Sequence, residues 1–177
     1  MKKMKKIVFC VISTIMLAAC TSTYKYDFNN PSDKPLEMGK RIAVTGCDDG
    51  VYKAKSEVYE GSGMTVVKAV QSNLIPFSDN VVVVESARAI TDFSAEEAAK
   101  YDYIVVPFII NWEDHATAWN GIPAKDSVSI KVYGADKTLL KSVVFDGKSE
   151  SMTLGSTDPA DLLDEPLETF FKSAFGK

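Results

Sequence analysis

The chain has 177 residues, 20 basic and 24 acidic, with one histidine, three cysteines and a formal charge of −4. That length suits one domain with its own hydrophobic core. The acidic balance argues against nucleic acid or anionic lipid as a direct partner, and so few cysteines cannot build a disulfide framework.

Residues 1–20 stand apart from the rest. Lys2, Lys3, Lys5 and Lys6 form a positive start, and Ile7 to Leu17 form an apolar run broken only by Ser13 and Thr14. Ala18 and Ala19 are the small residues a signal peptidase needs near its cut, so residues 1–19 read as a secretory signal peptide. The run is too short to span a bilayer stably. Leu17-Ala18-Ala19-Cys20 resembles a bacterial lipobox; the alternative is an ordinary signal followed by a chance cysteine. The resemblance implies cleavage before Cys20, with diacylglyceryl and N-acyl lipid on that residue. Two or more chains anchor stably where one does not. Thr21, in place of the Asp that usually retains such proteins at the inner membrane, implies transfer to the outer membrane with the body facing the periplasm. Cleavage would leave 158 residues, 16 basic and 24 acidic, with a charge of −8. With Cys10 gone and Cys20 lipidated, Cys47 is a lone thiol, either buried at a strand end or paired with another molecule.

Residues 20–38 are polar and contain Tyr24, Tyr26 and Phe28 at a spacing of two. They read as a tether of about 25 Å, or alternatively as a short edge strand. The domain proper is expected over 39–177. Arg41 to Thr45 is a strand, followed by a polar loop from Cys47 to Gly63. Ser62 suits the N-cap of a helix whose apolar stripe is Met64, Val67, Val70 and Leu74. The β-branched run Val81 to Val84 predicts a strand buried on both faces. Ser94 and Glu97 form a capping box for a short helix. Asp102 to Ile110 is a third strand, with a bulge or an unpaired side at Pro107. This order implies parallel pairing. Asn120-Gly121-Ile122-Pro123 is a turn, and Ser127 to Tyr133 and Leu139 to Phe145 make a hairpin with one buried face. Asp158-Pro159 opens a helical region that Pro166 divides, with Leu163, Leu167, Phe170, Phe171 and Ala174 as its apolar stripe. The fold class is α/β with α+β character: one domain, β-α-β-α-β, then an antiparallel hairpin and a C-terminal helix on a mixed sheet.

Ligands favour the crevices at the carboxyl ends of parallel strands. Cys47, Gly61-Ser62-Gly63 and Trp112-Glu113-Asp114-His115 all follow strands or open a helix at that edge. A Cys47–His115 thiol catalyst would need a base to activate the thiolate. No local signature supports one, and one histidine with scattered carboxylates lacks metal-ligand spacing. Gly61-Ser62-Gly63 is an N-cap or an anion cradle, without the lysine of a phosphate loop. Trp112 and Trp119 either pack the rim of the core or form an aromatic and acidic contact surface with Glu113 and Asp114. No catalytic residue, metal or cofactor is assigned beyond the lipid on Cys20.

Asp49-Gly50-x-Tyr52, Tyr59-x-Gly61-Ser62-Gly63, Trp112-Glu113-Asp114-x-Ala116-Thr117-x-Trp119-Asn120-Gly121-Ile122-Pro123 and Asp161-Leu162-Leu163-x-Glu165-Pro166 together resemble a family of small Gram-negative lipoproteins catalogued only as a domain of unknown function. That family more often has arginine at position 115, so the resemblance carries no catalytic histidine. The element order also resembles small domains of other envelope lipoproteins and the N-terminal part of TolB-like proteins, which act in assembly and interaction. The expectation is a non-enzymatic, lipid-anchored module that engages another cell-envelope protein, with a periplasmic small-ligand-binding module as the alternative.

Overall fold

All four residues of Ile42–Thr45 (β2) are buried, and strands flank it on both sides. The computed structural model describes residues 22–52, 56–114, 122–150 and 158–177. Around β2 stands a six-stranded mixed sheet in the order β1-β8-β7-β6-β2-β5. Its other strands are β1 (Thr23–Asn29), β5 (Val81–Val84), β6 (Tyr103–Glu113), β7 (Lys125–Gly134) and β8 (Leu139–Lys148). The pairs β2–β5 and β2–β6 are parallel; β6–β7, β7–β8 and β1–β8 are antiparallel. A separate hairpin, β3 (Gly50–Tyr52) and β4 (Glu57–Tyr59), lies in what the sequence suggested was loop. Three-residue strands carry too little pattern to be distinguished from loop.

One face of the sheet carries the main core. Helix α1 (Ser62–Leu74) and helix α3 (Asp164–Ala174) pack there against Ile42, Val44, Val105, Ile109, Val128, Ile130, Val143 and Phe145. The predicted stripe of α3 is buried in full, from Leu163 through Ala174. The chain breaks after a 3-10 turn, Pro159–Leu162, so Pro166 sits inside the first turn of α3 rather than between two helices. An early helical position leaves its missing N–H harmless. In α1 the stripe is displaced: Val66 is buried and Met64 is 43% exposed. Part of the opposite sheet face is covered by a smaller cluster of Ala43, Ala87, Phe93, Ala98 and Ile104, beneath the short helix α2 (Ala95–Ala98). Ser94 and Glu97 form the expected capping box of α2.

Two expectations are corrected. The alternating aromatics form the short edge strand that is the alternative reading, not a free tether. Thr23–Asn29 pairs along its whole length with β8, and Phe28 stacks on Phe170 of α3 at 6.4 Å. Hydrophobic alternation of period two, together with a free edge on β8, outweighed the polar composition around it. Val81–Val84 is an edge strand, not a central one, and Val82 is 45% exposed. A β-branched run reports strand preference and says nothing of the strand's rank in the sheet. At Pro107 the expected unpaired side is present, because β2 pairs with β6 only from Tyr103 to Val105; the bulge falls further on, between Ile109 and Asn111.

Candidate functional site

The three segments expected at the carboxyl edge of the parallel strands do meet. Gly63 lies so close to the loop after β2 that a Cβ there would collide with the carbonyl oxygen of Cys47. A Cβ on Gly50 would stand 2.6 Å from Cβ of Trp112. The Ser62 hydroxyl ties these pieces together. It accepts from the Gly50 N–H at 2.7 Å and donates to the Tyr59 carbonyl at 2.7 Å. Ser62 is therefore not the N-cap. That position is Gly61, with φ of 85°, a left-handed conformation in which glycine avoids the Cβ clash. The capping carboxylate comes from Asp49, which accepts from the Gly63 N–H at 2.9 Å. This chain's own anion thus occupies the helix start that an anionic ligand would use.

Beside this junction is a hollow of about 470 Å³, lined in part by Tyr59, Gly61, Ser62, Trp112, Asp114 and Asp158. Trp112 is only 4% exposed and belongs to the main core, so it forms the floor of the hollow rather than a contact surface. Glu113 points elsewhere: its carboxylate pairs with Lys125 at 3.0 Å and accepts from the Asn111 amide at 2.9 Å. Asp114 is exposed at the rim. Trp119, His115 and Cys20 lie outside the described residues.

Cys47 is half-buried. Burial pushes its thiol up to about 11, and the carboxylates of Asp48 and Asp49 act in the same direction. A thiol held protonated is a poor nucleophile. Asp48 is itself paired with Arg88 at 3.1 Å. Among the described residues no group of three or more His, Cys, Asp or Glu is placed to hold a metal.

The residue that sequence reasoning missed is Asp126, which is 2% exposed. Its Oδ1 accepts from the Gly147 N–H at 2.8 Å, while Oδ2 is buried without a partner among the described residues. Desolvation pushes this carboxyl up to about 7, against the opposing Gly147 hydrogen bond. The signal was available: the inward alternation Val132, Ile130, Val128 runs back two residues to Asp126.

A single α+β domain with helices on a six-stranded mixed sheet, and a hollow at the carboxyl ends of its parallel strands, defines the class. The chain belongs to the family DUF4823, a domain of unknown function, whose model matches residues 34–174. No curated protein matches it. Among solved structures the fold is similar to PelC from Paraburkholderia phytofirmans, described as a dodecamer. The two crystal forms superpose with TM-scores of 0.59 and 0.57 at 12% and 11% identity, each covering 85% of this chain and 97% of PelC. Protein XCC0632 from Xanthomonas campestris, of family DUF330, is a weaker match, with a TM-score of 0.46 at 13% identity over 83% of this chain and 88% of that one.

Proposed function

We propose that this protein is a lipid-anchored lipoprotein of the outer membrane whose domain acts in the periplasm as a non-enzymatic interaction or assembly module. The observation that carries the reading is the run from Lys2 to Cys20, which combines a basic start, an apolar stretch of signal-peptide length and a cysteine after Leu-Ala-Ala. The site chemistry supports the second half. Asp49 fills the helix start, Ser62 is engaged on both sides, and the Cys47 thiol is held protonated. The similar fold of PelC, a dodecamer by its description, favours assembly with further copies of this chain. Metabolic labelling with an alkyne fatty acid tests the anchor, with label expected on the wild type and absent from Cys20→Ser. Crosslinking in cells from exposed positions at the rim, such as Val58 and Asp114, tests the module. A discrete adduct, to this chain or to one envelope protein, is expected; adducts no different from those of a position on α1 would refute it.

A small-ligand-binding module remains the second reading, because the hollow beside Gly61, Ser62 and Asp114 is large enough for one.

A further inference from the structure

The domain's negative charge is not spread evenly over the sheet. On the face away from α1 and α3, Thr23, Lys148, Lys125 and Glu113 stand opposite one another across four strands. The next row on that face is Lys25, Asp146, Ser127 and Asn111. The two rows frame a hollow of about 400 Å³. Among the described residues the α2 segment covers only the part of this face around Ala43 and Ile104, and Phe108, further along β6, is 57% exposed.

Lys148 and Lys125 are directly opposite in register. Like charges so placed destabilise a strand pair unless something lies between them. Glu113 pairs with Lys125 and Asp146 stands opposite Lys25, whereas Lys148 faces only Thr23 and Lys125 and has no ion pair among the described residues. On the whole open face Lys25, Lys125, Lys131 and Lys148 meet only Asp27, Asp146 and Glu113. Net charge alone argues against anionic lipid, but on this face four lysines stand against three carboxylates, so the acidic excess of the whole chain is absent there.

The position of the chain's entry adds a second constraint. Thr23 starts β1 in the lysine row, three residues after Cys20. Three peptide units span at most about 11 Å. Lipid on Cys20 therefore brings this row into the headgroup layer.

We propose that the open face at β1, β8, β7 and β6 is a membrane-docking surface, on which Lys25, Lys125 and Lys148 bind the phosphates of anionic phospholipids. The orientation rests on the anchor reading; the lysine chemistry does not. Docking would fix the orientation of the domain against the bilayer, and a lysine near an anionic surface contributes about a fivefold gain in binding.

Amine acylation followed by mass spectrometry tests this on the purified full chain in detergent, with vesicles of phosphatidylcholine alone, and with vesicles of phosphatidylcholine and phosphatidylglycerol. Lys25, Lys125 and Lys148 are expected to react about tenfold more slowly on the phosphatidylglycerol vesicles, while Lys68 and Lys100 are unchanged. The protection is expected to vanish at about 1 M salt and at the two remaining lysines in Lys148→Gln. Equal labelling in all three settings overturns the proposal. So does equal protection on phosphatidylcholine alone, or protection by inorganic phosphate in detergent, which would indicate a small-anion site. The mass of the Cys20 peptide reports the anchor separately. If it carries no lipid, the anchor reading fails, while labelling on added vesicles still decides the lysine chemistry.

Discussion

Gly63 in the first turn of α1 rests on the backbone carbonyl of Cys47, with no room for a side chain between them. This contact locks the start of the helix to the end of β2 and sets how closely the β3–β4 hairpin can approach Trp112. Gly63→Ala is expected to lower the unfolding free energy by about 2 kcal/mol, the usual cost of overpacking. Gly61→Ala meets no atom within 4 Å but must hold a φ of 85°, so its cost is the smaller conformational one, about 1 kcal/mol. Urea denaturation of the two variants separates steric from conformational effects. Equal midpoints would mean that the helix start shifts freely away from the loop.

Trp112 is a core residue that also floors the hollow at the strand ends. Trp112→Ala should destabilise the fold by about 3 to 5 kcal/mol, the range for emptying a buried aromatic site. Its replacement by Phe should cost less. Intrinsic fluorescence cannot follow these variants alone, so far-ultraviolet dichroism against urea is the appropriate measurement. A fully stable Trp112→Ala would return the residue to the candidate contact surface.

Asp126 makes stability fall as pH rises. Its folded value, about 7, lies above the ordinary carboxyl value of 3.8, so between these limits the native state holds a proton that the unfolded chain has released. Stability is fully present at low pH with respect to this group and is lost as pH climbs through about 7, by at most about 4 kcal/mol. Asp126→Asn keeps an acceptor for the Gly147 N–H and removes the charge. It should flatten this part of the profile and stabilise the protein at pH about 8, measured as the urea midpoint against pH. A variant with the wild-type slope would show that the carboxyl titrates elsewhere.

Cys47 should alkylate slowly in the folded protein. A shift from 9.0 to about 11 lowers the thiolate fraction roughly a hundredfold at neutral pH. Iodoacetamide labelling at pH about 8 should therefore accelerate by about that factor in denaturant. Rapid labelling of the native state would reopen thiol chemistry at this position.

What could be read from the sequence depended on how far each pattern extended. The α3 stripe and the Val128–Ile130–Val132 alternation were legible because several turns or strand steps repeat the same period. The three loops at the strand ends were placed together correctly because parallel topology allows little else. The β3–β4 hairpin was hidden, since three residues a side carry no period. Ser62 suits the cap by its place at the helix start, but the N-cap position is Gly61 and the capping carboxylate is that of Asp49, which lies 14 residues before Gly63 and reaches it only through tertiary structure. The edge position of β5 depends on strand order, which is not written in the local sequence. The inward side of Asp126 follows from the β7 alternation, but its full burial depends on what packs above the sheet.

The pairing of β1 with β8 also orders events in time. Thr23 finds its partner Lys148 across most of the chain, so the strand synthesised first can join the sheet only after nearly all the rest exists. Such long-range closure comes late, because its loop entropy must be overcome before its contacts form. Until then β1 has no partner strand, so Thr23–Asn29 gains its order only when β8 is in place.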